Sequence, residues 1–338
     1  MLKISIKPPH RKLVILAIVV SAIIIIVVFA VLALINSQVP QEETVRGLLE
    51  NRAMNVPDLD IGGVKYRYRQ DLMNILVMGI DQAENDNPEN SSRSNGQADF
   101  LLLLTVNEKE ESISMLQIDR DTITDVTMLS VLGQDGGTRQ VQICLAHGFG
   151  GTRQRSSELV IQAVERLLFG VPIDRFISVN MYDIGAITDA LGGIPVTINE
   201  EMEAIDPSFR KGEEVLLKGE QANRFVRQRY GIGDGSNSMR MQRQQIFLQS
   251  LEGIIAQEVN KGQKETERVH DLLSPYLFTN LSKGYTINLL SQTKDFKADT
   301  VVTLAGVHSV GVSGFMEFYP DQDELKAYVV NGFSSGVR

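Results

Sequence analysis

The hydrophobic positions of this chain form one long run near its start and several short runs after it. The long run, Leu13–Ile35, carries no charge and contains Ser21 as its only hydroxyl. About 20 apolar residues suffice for a helix to cross the hydrocarbon core of a bilayer. The pattern therefore predicts a membrane-spanning helix over residues 13–35.

Flanking charges predict the orientation of this helix. Four basic residues lie just before it: Lys3, Lys7, Arg11 and Lys12. Because basic segments stay on the cytoplasmic side, residues 1–12 are expected in the cytoplasm and the rest of the chain outside it. The alternative is a cleaved secretory signal, but its apolar region would span only about 7–15 residues. Either interpretation exports the remainder of the chain.

After the anchor, residues 36–72 are polar and charged and contain Pro40 and Pro57. They predict an extracytoplasmic stalk, with a short helix over Glu42–Met54. The sequence after residue 72 contains no internal repeat, and its composition does not change along its length. A single domain over residues 73–338, large enough to be an enzyme, is therefore the simplest division of the remaining chain.

Shorter apolar runs predict the elements of that domain. Met73–Ile80 and Phe100–Val106 are typical of strands buried on both faces, and the polar turn after Val106 leads into a hairpin partner over Ser112–Ile118. Further strands are predicted over Arg175–Asn180, Ile194–Ile198, Thr300–Leu304 and Gly314–Phe318. Helices are predicted from Ser156 or Ser157 to Leu168, and over Asp183–Leu191, Gly219–Phe225, Ser238–Val259 and Gln322–Val330. This alternation indicates an α/β fold, with a mixed central sheet covered by helices on both faces.

Composition narrows the possible functions. A net charge of −9 excludes a general nucleic-acid binder, which needs a basic surface. The single cysteine, Cys144, can form no internal disulfide, and its apolar neighbours Leu145 and Phe149 favour a packing role over a nucleophilic one. The four histidines show no metal-binding spacing, so no zinc site is predicted.

Arginine is concentrated in one segment of this acidic chain. Between residues 224 and 243 a single carboxylate, Asp234, accompanies five arginines: Arg224, Arg227, Arg229, Arg240 and Arg243. Helical spacing places Arg240, Arg243 and Gln244 on one face, whereas Arg227 and Arg229 converge only if the chain is extended there. Guanidinium groups suit phosphate oxygens, so the segment predicts an anion site. The alternative is a solvated helix face balanced by carboxylates elsewhere.

Aspartates mark the ends of the predicted core strands. Asp81 ends the first strand and Asp99 begins the next. Two such carboxylates can share a Mg²⁺ ion with phosphate oxygens, although each could simply cap a loop. Asp119–Thr122 follows the third strand, and an extended backbone there would separate Asp121 from Arg120.

Seven segments between residues 74 and 251 carry a resemblance to a known family. In order they are NILVMGID (74–81), ADFLLLLTVN (98–107), SMLQIDRDT (114–122), LAHGFGG (145–151), VPIDRFISVNMYDIGAITDALGGIPVTI (171–198), LLKGEQANRFVRQRY (216–230) and SMRMQRQQIFLQSL (238–251). Together they resemble the LytR-CpsA-Psr family of bacterial envelope enzymes, whose usual topology is a single span with the N-terminus inside.

The resemblance implies an α-β-α fold and a specific reaction. An anionic glycopolymer would pass from a polyprenyl pyrophosphate carrier to peptidoglycan, forming a phosphodiester at a muramic acid hydroxyl with the aid of Mg²⁺ or Mn²⁺. The carrier's lipid tail would occupy a hydrophobic tunnel between sheet and helices, and the enzyme would sit in the bacterial cell membrane. Two alternatives use the same residues: a polyprenyl pyrophosphate hydrolase, and a non-catalytic, membrane-tethered binding or regulatory protein.

Site residues carry over from the family by position. Asp81 and Asp99 correspond to the metal-linked aspartates, and Asp121 to an acidic base or supporting residue. The pyrophosphate would be held by Arg120, Arg227, Arg229, Arg240 and Gln244, with Arg93 and Arg243 as further candidates. Of these residues, Arg120, Arg227 and Arg229 would join Asp121 in catalysis. Family members commonly carry an arginine two residues before the second aspartate, where this chain has Gln97.

Overall fold

The computed structural model describes residues 58–82, 96–130, 133–229, 231 and 236–338. Within them the strands are β1 (Leu59–Ile61), β2 (Val64–Tyr68), β3 (Leu72–Asp81), β4 (Gln97–Asn107), β5 (Ser112–Ile118), β6 (Ile123–Leu129), β7 (Asp135–Gln142), β8 (Arg175–Asn180), β9 (Ile194–Thr197), β10 (Glu214–Leu217), β11 (Leu277–Thr279), β12 (Lys297–Ala298), β13 (Val302–Thr303), β14 (Gly306–Val310), β15 (Met316–Pro320) and β16 (Ser334–Val337). The helices are α1 (Arg153–Leu167), α2 (Ile184–Ala190), α3 (Gly219–Arg227), α4 (Asn237–Asn260), α5 (Gln263–Leu273), α6 (Lys283–Thr293) and α7 (Gln322–Phe333). Short 3₁₀ turns cover Ile143–Phe149, Met181–Asp183 and Ser274–Tyr276.

A seven-stranded mixed sheet forms the centre of the domain. Its order is β11-β8-β3-β4-β5, and both β12 and β13 pair with the outer edge of β5. β3 is antiparallel to β4 and parallel to β8, and β4 is antiparallel to β5. The predicted hairpin and the predicted mixed sheet are confirmed. Nine of the ten residues of β3 are buried, as expected for an apolar run covered on both faces.

Helices cover both faces of this sheet. On one face, β3 and β4 pack against apolar residues of α4, α5 and α6, among them Ile255, Val269 and Leu289. On the other face, the same strands pack against α1 and α7 through residues such as Val160 and Val329. The predicted arrangement of helices on both faces is therefore confirmed.

A third apolar cluster fixes the position of α3. The β9–β10 hairpin lies outside the central sheet and packs with α3 and α4 around Phe209, Phe225 and Phe247. The predicted strand Ile194–Ile198 thus exists as β9, but as part of a separate two-stranded sheet. Burial of Phe225 holds the end of α3, where Arg227 lies, against the rest of the domain.

The predicted stalk extends too far towards the domain. Residues 59–68, assigned to the stalk over 36–72, form β1 and β2 of a three-stranded sheet with the C-terminal strand β16. Leu59 is only 1% exposed and Tyr68 only 3% exposed, so this segment belongs to the folded core. The prediction failed because the pairing partner, β16, lies at the other end of the chain.

The predicted anchor over residues 13–35 lies outside the described residues, as does the part of the stalk before residue 58. Within the described ranges, no helix combines the length and hydropathy needed to span a bilayer.

Helix α1 begins earlier than predicted. Thr152 caps it by accepting a hydrogen bond from the Arg155 backbone N–H at 3.2 Å. Ser156 and Ser157, predicted as the cap, lie inside the helix and are fully buried. The apolar spacing predicted this helix correctly. Its first residue was ambiguous in the sequence, because Thr152, Ser156 and Ser157 all carry hydroxyl groups that can cap a helix.

Truncating Leu59 tests whether residues 58–72 belong to the domain. Leu59→Ala should lower the free energy of unfolding by about 2–5 kcal/mol, because it removes a fully buried side chain. Val64→Ala on the neighbouring strand, where the side chain is 42% exposed, is the control and should change it by less than about 1 kcal/mol. Urea unfolding of the full-length protein in detergent measures both variants. Equally small effects would show that the segment is a stalk.

Candidate active site

The candidate site lies at the end of the sheet where three adjacent strands meet. β3 ends at Asp81, β4 starts at Gln97, and β5 ends at Ile118 just before the Asp119–Thr122 turn. Because β4 runs antiparallel to both neighbours, its start lies beside both of their ends. This topology brings together polar residues that are far apart in sequence.

Asp99 occupies an irregularity in the β3–β4 ladder. Gly79 pairs with Phe100 and Ile80 pairs with Ala98, so Asp99 is the extra residue of a bulge. Bulges redirect side chains next to functional sites. The buried Asp99 carboxylate accepts a hydrogen bond from Arg120 on one oxygen and one from Arg240, at 2.9 Å, on the other. Two arginines predicted to bind the same anion are thus anchored to one carboxylate.

Arg120 makes three further polar contacts. Its Nη2 donates to Gln97 Oε1 and to Cys144 Sγ, the latter at 3.2 Å, and its Nε lies 3.4 Å from Asp121 Oδ1. Burial acts to lower the pKa of Arg120, but the hydrogen bond to Cys144 and the charges of Asp99 and Asp121 raise it on balance. Gln97, at the position where the family commonly has arginine, therefore orients Arg120 rather than adding a charge.

Cys144 is a neutral partner of Arg120 rather than only a packing residue. Burial raises the pKa of its thiol to about 12, and the Arg120 charge only partly opposes this shift. The thiol therefore stays protonated at neutral pH, which agrees with the prediction that it is no nucleophile. Its contact with Arg120 was missed, because an apolar sequence neighbourhood gives no sign of a polar partner.

Asp121 is a buried carboxylate of this cluster that has spare hydrogen-bonding capacity. It is 5% exposed, and its Oδ2 has no hydrogen-bond partner among the described residues. Burial raises the pKa of this carboxyl; Arg120 opposes the shift, Asp119 adds to it, and the balance lies above the ordinary value. A buried carboxylate oxygen with a raised pKa is suited to accept a proton.

The segment Asp119–Thr122 is a tight turn and not the extended backbone considered from sequence. Thr122 N–H donates to Asp119 O at 3.0 Å, and Asp121 N–H donates to Asp119 Oδ1 at 2.8 Å. The turn places Arg120 and Asp121 in contact instead of on opposite sides. Asp119 therefore fixes the backbone that carries Arg120 and Asp121.

Asn237 is a site residue that sequence analysis missed. Its side-chain oxygen accepts from Arg240 Nη2 at 2.6 Å and from Nε at 3.1 Å. Its Nδ2 donates to Asp119 Oδ1 at 2.8 Å. Asn237 thus joins the start of α4 to the turn after β5. Its place three residues before Arg240 on α4 is the only sequence signal of this role.

Arg227 and Arg229 approach the site from the end of α3. The helix stops at Arg227, and Gln228 is extended (φ −62°, ψ 137°), which is the local geometry that the sequence required for the two arginines to converge. Arg227 Nη2 lies 2.6 Å from Asp81 Oδ1, and its guanidinium lies 3.7 Å from the centre of the Tyr182 ring. Arg229 is close enough for its charge to oppose the rise in the pKa of Asp121 and to add to the lowering of the pKa of Arg240.

Two predicted candidates, Arg243 and Gln244, are not brought into this cluster. Arg243 is fully buried, pairs with Glu200 at 3.3 Å and donates to the backbone oxygen of Gln228. Gln244 donates to Val226 O at 3.3 Å and accepts from Gln117. Arg243 and Gln244 thus support the backbone at the end of α3. Helical spacing placed them on one face of α4 with Arg240, but it did not predict which groups they would contact. Arg93 lies outside the described residues.

An apolar cavity of about 110 Å³ opens beside the site. It lies between the sheet and helices α2 to α5, and Gln244 is its only polar lining side chain in the described ranges. The other lining residues include Val77, Phe100, Ile177, Val226, Phe247 and Leu251. Gly79 forms part of the wall, where a Cβ would lie 2.9 Å from Phe100 Cβ. The structure therefore places an apolar space next to a cluster of arginines and aspartates.

This fold and cluster agree with family comparison: the chain belongs to the LytR-CpsA-Psr family, whose model matches residues 38–331. Two similar proteins are polyisoprenyl-teichoic acid–peptidoglycan teichoic acid transferases named TagU. The one from Halalkalibacterium halodurans is 35% identical over 160 residues, covering 47% of this chain and 46% of the relative. The one from Bacillus subtilis is 32% identical over 194 residues, covering 57% and 53%. The chain thus spans about half the length of these curated relatives.

Solved structures show the same fold. One described as TagT bound to LI-WTA superimposes with a TM-score of 0.55 at 25% sequence identity, covering 77% of this chain and 90% of that chain. The resemblance seen in the sequence is thus confirmed by the family model, and the fold is shared along most of the described domain.

The Arg243–Glu200 pair provides a test of the assignment of Arg243. Arg243→Met should lower the free energy of unfolding by about 3–5 kcal/mol, because it leaves a buried carboxylate without its partner. Adding Glu200→Leu should recover most of the loss, as measured by urea unfolding and a double-mutant cycle. Arg268→Met, which breaks the surface pairs of Arg268 with Glu258 of α4 and Glu265 of α5, should cost less than about 1 kcal/mol. An Arg243→Met protein of normal stability that no longer bound pyrophosphate would instead place Arg243 in the anion site.

Proposed function

We propose that this protein transfers an anionic glycopolymer from a polyprenyl pyrophosphate carrier to peptidoglycan. The observation that carries the proposal is the position of Arg120, Arg227 and Arg240 beside a cavity lined almost entirely by apolar residues. A lipid pyrophosphate has the same two chemical parts, a charged headgroup and a hydrocarbon tail. The predicted anchor over residues 13–35 would hold the domain on the outer face of the cell membrane, where such a carrier is available.

The arginines are arranged to receive a pyrophosphate. Each of the three is held by a carboxylate, Asp99 or Asp81, so their guanidinium groups are oriented before any substrate binds. Tyr182 adds a further contact that fixes Arg227. Guanidinium groups donate to phosphate oxygens in pairs and keep their charge when partly buried. A preorganised cluster of this kind stabilises negative charge that develops during phosphoryl transfer.

The reaction we propose is a displacement at the polymer-side phosphorus of the donor. The acceptor hydroxyl oxygen forms a bond to that phosphorus, and the bond from this phosphorus to the bridging oxygen breaks. The hydroxyl proton passes to Asp121, whose Oδ2 has no other partner among the described residues. The products are a phosphodiester on peptidoglycan and polyprenyl monophosphate. Arg120, Arg227, Arg229 and Arg240 neutralise the charge on the phosphate oxygens.

Mg²⁺, or Mn²⁺ in its place, fits the carboxylates present. Asp81 and Asp99 stand on adjacent strands and offer only oxygen ligands, and Asp81 keeps 38% of its side chain exposed. A cation of this kind typically takes one or two carboxylates together with substrate phosphates. Because both oxygens of Asp99 contact arginines, a cation would share the site with them once phosphate is present. When bound, it would supply additional neutralisation of pyrophosphate charge.

Product analysis tests this function directly. Full-length protein in detergent, given a short-chain polyprenyl pyrophosphate donor and peptidoglycan fragments, should yield polymer-modified fragments and polyprenyl monophosphate by mass spectrometry. A chelator should slow the reaction, and Mg²⁺ or Mn²⁺ should restore it. Arg227→Ala should reduce the rate by about 10²–10³-fold, since it removes one charge-stabilising group.

The matched control is Arg268→Ala. Arg268 is an exposed arginine of α5 whose ion pairs involve no residue of the candidate site, so this variant should leave the rate unchanged. Release of polymer phosphate into water, with no modified fragments, would identify a hydrolase instead. Recovery of intact donor after long incubation with Mg²⁺ would identify a binding protein.

The pH dependence of transfer should report the state of Asp121. A base must be ionised, so the rate should fall as the pH is lowered through the folded-state pKa of Asp121, which lies above its ordinary value of about 4. Asp121→Asn should lower the rate by about 10²–10⁴-fold, remove this acid limb and retain donor binding. Steady-state rates from pH 4 to 8 measure the effect. An unchanged acid limb in Asp121→Asn would assign the titrating group elsewhere.

A further inference from the structure

A second cavity, of about 240 Å³, lies against a different face of α4 from the apolar cavity. One side of the helix lines the apolar cavity with Phe247 and Leu251. Another side lines this second space with Ser238 and Gln242. The turn after β5, β13 and the β14–β15 hairpin form its other walls. We call it the polar cavity.

The polar cavity presents uncharged hydrogen-bonding groups. Ser238 and Gln242 are four residues apart on α4 and therefore lie on one helix face, and Thr303 of β13 also lines the space. All three residues are exposed. Within the described part of the chain their side chains make no hydrogen bond, so their hydroxyl and amide groups remain available to a ligand.

The two ionisable residues that line the polar cavity are already paired with each other. His308 Nε2 lies 3.0 Å from Asp119 Oδ2, and the other Asp119 oxygen accepts from Asn237 and from the Asp121 backbone. The His308 ring packs on Phe318 with ring centres 4.6 Å apart, which adds a flat apolar surface. Arginine and lysine are absent from the described lining. The cavity is therefore unsuited to the anionic polymer of the donor.

These features favour a neutral ligand with hydroxyl and amide groups on a partly apolar body, which describes an N-acetylated sugar. The location agrees with an acceptor role. Asp119 and Thr122 line the polar cavity and flank Asp121 in the turn, so a ligand there lies at the edge of the proposed reaction centre. Helix α4 separates this space from the apolar cavity and carries Arg240.

We propose that the polar cavity binds the acceptor sugar of the peptidoglycan strand, so that lipid and acceptor reach the arginine cluster along different faces of α4. This inference rests on the proposed function, since it assigns the acceptor of that reaction. Ser238, Gln242 and Thr303 would act as specificity residues and not as catalytic ones.

The test is direct binding of the disaccharide of N-acetylglucosamine and N-acetylmuramic acid, with its lactyl carboxyl group amidated so that the probe is neutral, to full-length protein in detergent, measured by ligand-observed NMR. The double variant Gln242→Leu, Thr303→Val should bind it about tenfold more weakly, since two hydrogen-bonding groups are lost. Its affinity for the polyprenyl pyrophosphate donor should not change. Gln249→Leu is the matched control, because Gln249 is an exposed residue of the same helix that lies outside the cavity lining.

Transfer assays give a second readout. The double variant should raise the KM for peptidoglycan fragments about tenfold and leave the KM for donor unchanged. Wild-type disaccharide affinity in the double variant, or loss of donor affinity instead, would overturn the acceptor assignment. If wild-type protein bound the disaccharide through these residues but formed no modified fragments, the saccharide site would stand and the proposed transfer would fail.

Discussion

The arrangement of the whole site depends on the buried carboxylate of Asp99. Arg120 and Arg240 come from a turn and a helix, and their like charges would repel each other at close range. Asp99 accepts from both, and the bulge in β4 places it between them. The same connection continues from Arg240 through Asn237 to Asp119, which holds the backbone of Asp121. A buried charge requires partners of this kind, so each residue in the chain of contacts constrains the next.

Around this centre the structure combines three different chemical environments. The apolar cavity suits a hydrocarbon chain, the arginine cluster suits an anion, and the polar cavity suits a neutral, hydroxyl-rich group. Helix α4 contributes to all three, because its successive faces carry Phe247, Arg240 and Gln242. A long helix packed across the sheet can separate two ligands while directing both towards one point, which is what the proposed transfer would require.

Gln97 and Cys144 contact Arg120 without adding a charge to the cluster. Both contact Arg120 as neutral acceptors, and the raised pKa of Cys144 keeps the thiol uncharged at neutral pH. Arg120 is thus oriented without another carboxylate that would compete with phosphate for the guanidinium group. Arg243, by contrast, pairs with Glu200 and donates to the backbone of Gln228, and it supports the segment that carries Arg227 and Arg229.

The amino-acid sequence alone determined the core strands, the positions of most helices, the concentration of arginine and the family, because these depend on local hydrophobic spacing and on short motifs. Only the tertiary structure decided which arginine faces the site. Arg240 and Arg243 share a helix face, yet one pairs with Asp99 and the other with Glu200, both distant in sequence. The same holds for residues 59–68. Their sequence predicts a stalk, but they form β1 and β2 because β2 pairs with β16, a strand at the other end of the described chain. Local patterns specify backbone conformation, whereas the partner of a polar group or an edge strand is set by contacts between remote segments.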